Sequence, residues 1–103
     1  MLLEGRPARE QLPFYLRAQQ IQPSSRLHNM QLVKTYFKMA FDQPDDRARL
    51  GRESLKYFEN YVRQTVKEAG SRAPLTSMLE RNYRTQFPEL ADEVDRIRRS
   101  YGL

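Results

Sequence analysis

The residues able to do chemistry are few in this chain. There is one histidine, His28, and no cysteine. That removes disulfides, thiolate nucleophiles and cysteine metal sites, and it leaves too few imidazoles for a multi-histidine metal centre. A hydrolytic triad needs a base beside a nucleophile and an acid to orient it. His28 stands next to Asn29 near the expected start of a helix, with no such motif around it. Asp45 and Asp46 are adjacent carboxylates. They follow Pro44 in what reads as a helix's first turn, where acids complement the positive end of the dipole. The four glycines form no phosphate-cradling loop. These residues argue for a protein that is not an enzyme and binds no cofactor directly.

The cations say more. The net charge is +5, and 14 of the 18 basic residues are arginine. Arginine pairs bidentately with carboxylate and phosphate and stacks on aromatic rings. Such a surplus suits a chain that docks on something acidic, protein or nucleic acid. Arg81 and Arg84 flank Tyr83, and Arg96, Arg98 and Arg99 fall in "RIRR". A basic stripe with an interleaved aromatic is one form of RNA-contact face. These five arginines are the candidate RNA contacts. Thirteen interspersed acids, and the lack of any helix-turn-helix or other reader motif, weigh the other way.

The elements that position these residues read as helical throughout. No alternating β-branched run marks a strand. The chain of 103 residues allows one domain. Its eleven aromatics argue for a packed core. The fold class expected is all-α, a small bundle of four to five helices. Residues 1–11 read as an N-terminal arm and 12–103 as a single helical domain. A short first helix is expected from about Pro13 to Gln20, with proline in its first turn. Ser24 or Ser25 then caps a second helix over Arg26–Phe41. Met30, Val33, Phe37 and Phe41 form one apolar stripe on it, and Leu32, Tyr36 and Met39 form another. Lys34 and Lys38 are left one turn apart on its open side.

A third helix is expected to run from the "PDD" start to about Ala69, with Gly70 as its left-handed cap. Leu55, Phe58, Val62, Val66 and Ala69 form its stripe. Gly51 extends that face and suggests close approach to the second helix. A fourth helix covers about Pro74–Gln86, with Leu75, Met78, Leu79 and Tyr83 on one side. Ser77 and Glu80 make a capping box if it starts late. Pro88 opens a fifth, with Leu90, Val94, Ile97 and Tyr101 inward. Pairs four residues apart are expected at Glu59/Arg63, Asp92/Arg96 and Asp95/Arg99.

The stretch "LPFYLR" carries the docking question. Phe14, Tyr15 and Leu16 cannot share one face of a helix, so one of them turns away from the core. With "VKTYFKMAF" and "DQPDDRARLGRESLKYFENYV" behind it, the region over residues 12–66 resembles the LYR-motif family of small mitochondrial helical proteins. These carry Leu-Tyr-Arg on a first helix and a phenylalanine at the end of a basic second helix. The resemblance implies an accessory or assembly subunit of a mitochondrial respiratory-chain complex. It also implies docking on protein subunits such as acyl carrier protein, whose acylated phosphopantetheine arm enters between the helices. By position, Tyr15, Leu16 and Arg17, with Lys34 and Lys38, would meet the acidic partner, and Phe41 would line the acyl tunnel. The alternative is an RNA-contacting subunit of a ribosome or other ribonucleoprotein. No window approaches 18 apolar residues, so no membrane span is expected. "MLLEGRPARE" reads as neither a secretory signal nor an acid-poor mitochondrial presequence.

Overall fold

The computed structural model describes residues 7–68 and 72–103. Five α-helices follow in order: α1 (Ala8–Ile21), α2 (Arg26–Asp42), α3 (Arg47–Lys67), α4 (Ala73–Ser77) and α5 (Ala91–Tyr101). α4 continues directly into a π-helical segment (Met78–Arg84). Single 3₁₀ turns, Pro44–Asp46 and Pro88–Leu90, lead into α3 and α5. The described residues include no strand. No helix among them is long and apolar enough to cross a membrane.

α2 is the centre of the bundle. Ser25 caps it, its side chain accepting from the His28 backbone N–H (3.3 Å). Asn29 is buried one turn later. Its amide donates to the Pro23 and Ser25 carbonyls, both at 2.9 Å, and its oxygen accepts from Asn60 at 3.3 Å. A buried amide so satisfied fixes the α1–α2 turn and ties it to α3. Both expected stripes contact protein. Leu32, Val33, Tyr36 and Met39 are buried, while Met30 and Phe37 lie at the edge of the core. α2 packs most extensively on α3 and next on α1. A single core cluster draws on every helix, from Ala8 to Ile97.

Several expectations are corrected. The first helix begins at Ala8, so residues 8–11 are helix and not arm; residues 1–6 lie outside the described set. Pro7 opens it, its carbonyl accepting from the N–H groups of Glu10 (3.0 Å) and Gln11 (3.2 Å). Pro13 therefore sits inside the helix. Its missing N–H deprives the Arg9 carbonyl of a donor, and both residues are exposed, where water serves instead. Gly51 does make room, but for Phe87 and not for α2: a Cβ there would lie 2.6 Å from two ring carbons. The Ser77/Glu80 capping box does not form, because the helix starts early and Ser77 is already helical. Ala69 and Gly70 lie outside the described residues.

The charge pairs differ as well. No ion pair joins Asp92 to Arg96 or Asp95 to Arg99. Arg96 reaches across to Glu59 on α3 (2.7 Å), and Asp95 bonds Arg84 of the π-helical segment. Glu59 keeps Arg63 at a looser 3.8 Å and accepts from the Tyr101 hydroxyl at 3.0 Å. Sequence spacing favours pairs within a helix, whereas the bundle brings helices close enough for pairs between them.

Candidate docking surface

Lys34 and Lys38 form a ridge on the exposed side of α2, with a depression on each flank. One depression, about 340 Å³, lies between α2 and the α4/π-helical segment. Its walls are Val33, Phe37, Phe41, Met78 and Asn82, with the two lysines at the rim. The other, about 270 Å³ and more polar, lies between α1 and α2. It is lined by Gln11, Tyr15, Gln31 and Thr35, and again by both lysines. Of the residues singled out in the sequence, Lys34 and Lys38 thus border both depressions, with Tyr15 on one flank and Phe41 on the other. Their elements explain why. Tyr15 sits on the inner edge of α1, against the core. Lys34 and Lys38 are one turn apart, and Phe41 ends the same helix one turn further on.

Phe41 is half exposed (50%). Behind it stands an aromatic wall. Phe37 lies 5.2 Å from Phe41, and Phe87 meets Phe37 edge-on at 5.2 Å. Phe37 also meets Tyr83 edge-on, at 5.6 Å. Edge-to-face rings at this spacing hold one another beyond their buried area, so the apolar floor is preformed. Tyr83 is fixed from below. Ser54 Oγ donates to the Val33 carbonyl (2.9 Å), which spends its one proton, so the 2.8 Å bond between Ser54 and Tyr83 has the tyrosine hydroxyl as donor. Burial pushes the Tyr83 phenol well above the ordinary tyrosine range.

Leu16 and Arg17 line neither depression. Leu16, like Tyr15, packs partly buried against the core. Arg17 is exposed and makes no ion pair among the described residues. Phe14 (60% exposed) is the one of the three consecutive apolar side chains that turns outward. Comparison with family models, curated proteins and solved structures finds no match to this chain.

The candidate RNA-contact arginines separate into two groups. Arg84 bonds both Glu80 and Asp95, Arg98 bonds Glu80 (2.6 Å), and Arg96 holds Glu59. Hydrogen bonds from Arg84 hold the Glu80 and Asp95 carboxyls below the usual range. The bond from Arg96 does the same for Glu59. Arg81 and Arg99 are exposed and make no ion pair among the described residues. Tyr83, read in the sequence as a stacking aromatic beside Arg81 and Arg84, is fully buried and offers no ring face to a base.

His28 lies in the first turn of α2, where its backbone N–H donates to the Ser25 side chain. Asp45 and Asp46 occupy the 3₁₀ turn before α3, and Asp46 pairs with Arg49 at 3.4 Å. Among the described residues, no three His, Asp or Glu side chains come together as a metal site. Val33, Phe37, Met78 and Asn82 line the depression beside Phe41 without having been assigned to a site in the sequence reading. Met78 read as core, and nothing in the sequence marks a π-helix.

Proposed function

We propose that this protein is a non-catalytic accessory or assembly subunit that docks an acidic protein partner across the Lys34/Lys38 ridge. The observation that carries this reading is the Lys34/Lys38 ridge of α2, with Phe41 in the depression on one flank and Tyr15 of α1 in the depression on the other. Two exposed ammonium groups beside a preformed apolar floor complement an acidic helix, and they steer its approach. The LYR-like residues point to acyl carrier protein as that partner and to a mitochondrial respiratory-chain complex as the assembly. The acyl-phosphopantetheine arm would arrive with the partner, its chain directed toward Phe41. The test is co-purification of acyl carrier protein with the intact chain. Lys34→Glu combined with Lys38→Glu should abolish it, and Arg17→Glu should weaken it, while circular dichroism stays unchanged. Undiminished co-purification by the double variant overturns the reading.

An RNA-contacting role in a ribonucleoprotein is the second reading. The exposed, unpaired Arg81 and Arg99 favour it. It requires binding to a mixed RNA pool that falls steeply between low and moderate salt. It also requires that Arg81→Ala with Arg99→Ala weaken that binding. Absence of binding at low salt removes it.

A further inference from the structure

The depression beside Phe41 does not end at Val33. A second depression of about 340 Å³ continues along α2 toward its N-terminal end, where Arg26 and Met30 border it. α3 gives it Phe58 and Tyr61, and α4 gives it Leu75. Met78 lines both depressions and is the partition between them. The α2 residues along this course, Arg26, Met30, Val33, Phe37 and Phe41, recur every three or four positions. They form one face of a helix, about 22 Å long from end to end at 1.5 Å per residue. Two depressions divided by Met78 thus make up the groove between α2 and the α4/π-helical segment.

Three features define what fits it. Its floor is mostly apolar and aromatic, with the Thr65 hydroxyl as a polar group at the Arg26 end. Its one internal obstruction is a methionine, the side chain best able to repack around an incoming group. Asn82 Nδ2 donates to the Met78 sulfur at 2.8 Å, so that side chain is held by one weak bond. Its rim is cationic on the α2 side, where Lys34 and Lys38 border it. Arg26 stands at the far end, where Glu68 pairs with it at 3.3 Å. Among the described residues, that glutamate is the one acid paired at the rim.

We infer that this groove binds an amphipathic helix of a partner protein. The helix inserts apolar side chains at positions i, i+4, i+7 and i+11, and it carries acidic residues along the flank that faces Lys34 and Lys38. Eleven residues of rise span about 16 Å, within the groove's length. The half-exposed Phe41 is the contact at one end. Met78 moves aside to join the two depressions. The inference rests on reading this face as a protein-docking surface, but it does not depend on the partner being a carrier protein.

The probe is a synthetic 18-residue helical peptide with Leu or Phe at those four positions and Glu along the flank that faces the lysines. Controls are a scrambled peptide and one with Lys in place of Glu. Binding to the full chain is read by fluorescence anisotropy. The acidic amphipathic peptide should bind at least tenfold more tightly than either control. Phe41→Ala with Met78→Ala should weaken it at least tenfold. Lys34→Glu with Lys38→Glu should reverse the preference toward the Lys-flanked peptide, a gain that an unfolded variant cannot show. Four results overturn the inference. They are equal binding of the scrambled peptide, indifference to the groove substitutions, and a dimer of the chain alone that Phe41→Ala dissolves. The fourth is binding of dodecanoate to the chain with no binding of the peptide at all. If the peptide binds and acyl carrier protein does not, the carrier reading fails and the groove inference stands. If the carrier protein binds and the peptide does not, the reverse holds.

Discussion

The ring of Phe87 occupies the space that a Cβ on Gly51 would need, with Cδ1 and Cε1 both 2.6 Å from that position. Glycine in the interior of α3 costs about 1 kcal/mol of helix propensity relative to alanine. Gly51→Ala should nevertheless destabilise the protein, by about 1–3 kcal/mol, because Phe87 is fully buried and cannot retreat without leaving a void. Urea unfolding followed by circular dichroism checks the sign. A more stable Gly51→Ala variant would show that the helix-propensity gain wins.

The buried Ser54–Tyr83 bond gives an ordered pair of predictions. Ser54→Ala removes the acceptor of the Tyr83 hydroxyl and leaves that donor buried and unsatisfied, at a cost of about 1–3 kcal/mol. Tyr83→Phe leaves Ser54 bonded to the Val33 carbonyl and should cost less, about 1 kcal/mol. The double variant should cost less than the sum of the two. Equal losses, or a larger loss for Tyr83→Phe, contradict the assignment of the proton to tyrosine.

Acid should weaken the fold through three carboxylates. Bonds from Arg96 to Glu59, and from Arg84 to Glu80 and Asp95, depress those carboxyls in the folded state. Their contribution is complete above the ordinary carboxylate range, near pH 4, and is lost as the pH falls through the lower folded values. Thermal unfolding should therefore be flat from about pH 5 to 8 and should decline below about pH 4. Glu80→Gln should start lower at neutral pH and lose less on acidification. At the alkaline end the raised Tyr83 pKa acts in the other direction. The unfolded phenol ionises near pH 10 while the buried one stays neutral, so stability falls as the pH rises past that point.

Stability measurements should also sort the arginines. Arg96→Ala removes the partner of the half-buried Glu59 and should cost about 1 kcal/mol. Arg81→Ala and Arg99→Ala should stay within about 0.5 kcal/mol of the parent. Equal effects at all three positions would mean that the bond across α3 and α5 adds nothing.

The helices were legible where caps and stripes spoke locally. Ser25, the two stripes of α2, and Pro44 and Pro88 ahead of α3 and α5 stand where the pattern puts them. Pro13 misled because proline at the first turn of a helix is common, while proline within one is tolerated only when the freed carbonyl is exposed. Gly51 announced a close approach, yet its partner lies 36 residues further along, beyond the reach of periodicity. The same holds for Arg96 and Arg84: a residue's neighbours four positions away are visible in sequence, and those on another helix are not. The docking face was half legible. Lys34, Lys38 and Phe41 share a helix, so spacing relates them, and Tyr15 joins them only through the packing of α1 on α2. Met78 and Asn82 enter the groove through a π-helical segment that no residue type announces.

The placement of Phe87 against Gly51 also bears on the order of folding. α2 and α3 are joined by one short turn, so their contacts close a small loop and form early. Phe87 reaches Gly51 only after the following helices have docked. Contacts made after the transition state alter the escape rate rather than the rate of formation. In stopped-flow experiments, Gly51→Ala should accelerate unfolding and leave the refolding rate nearly unchanged. That outcome would make Phe87 a late latch, whose hold on Gly51 governs how long the folded molecule lasts once formed.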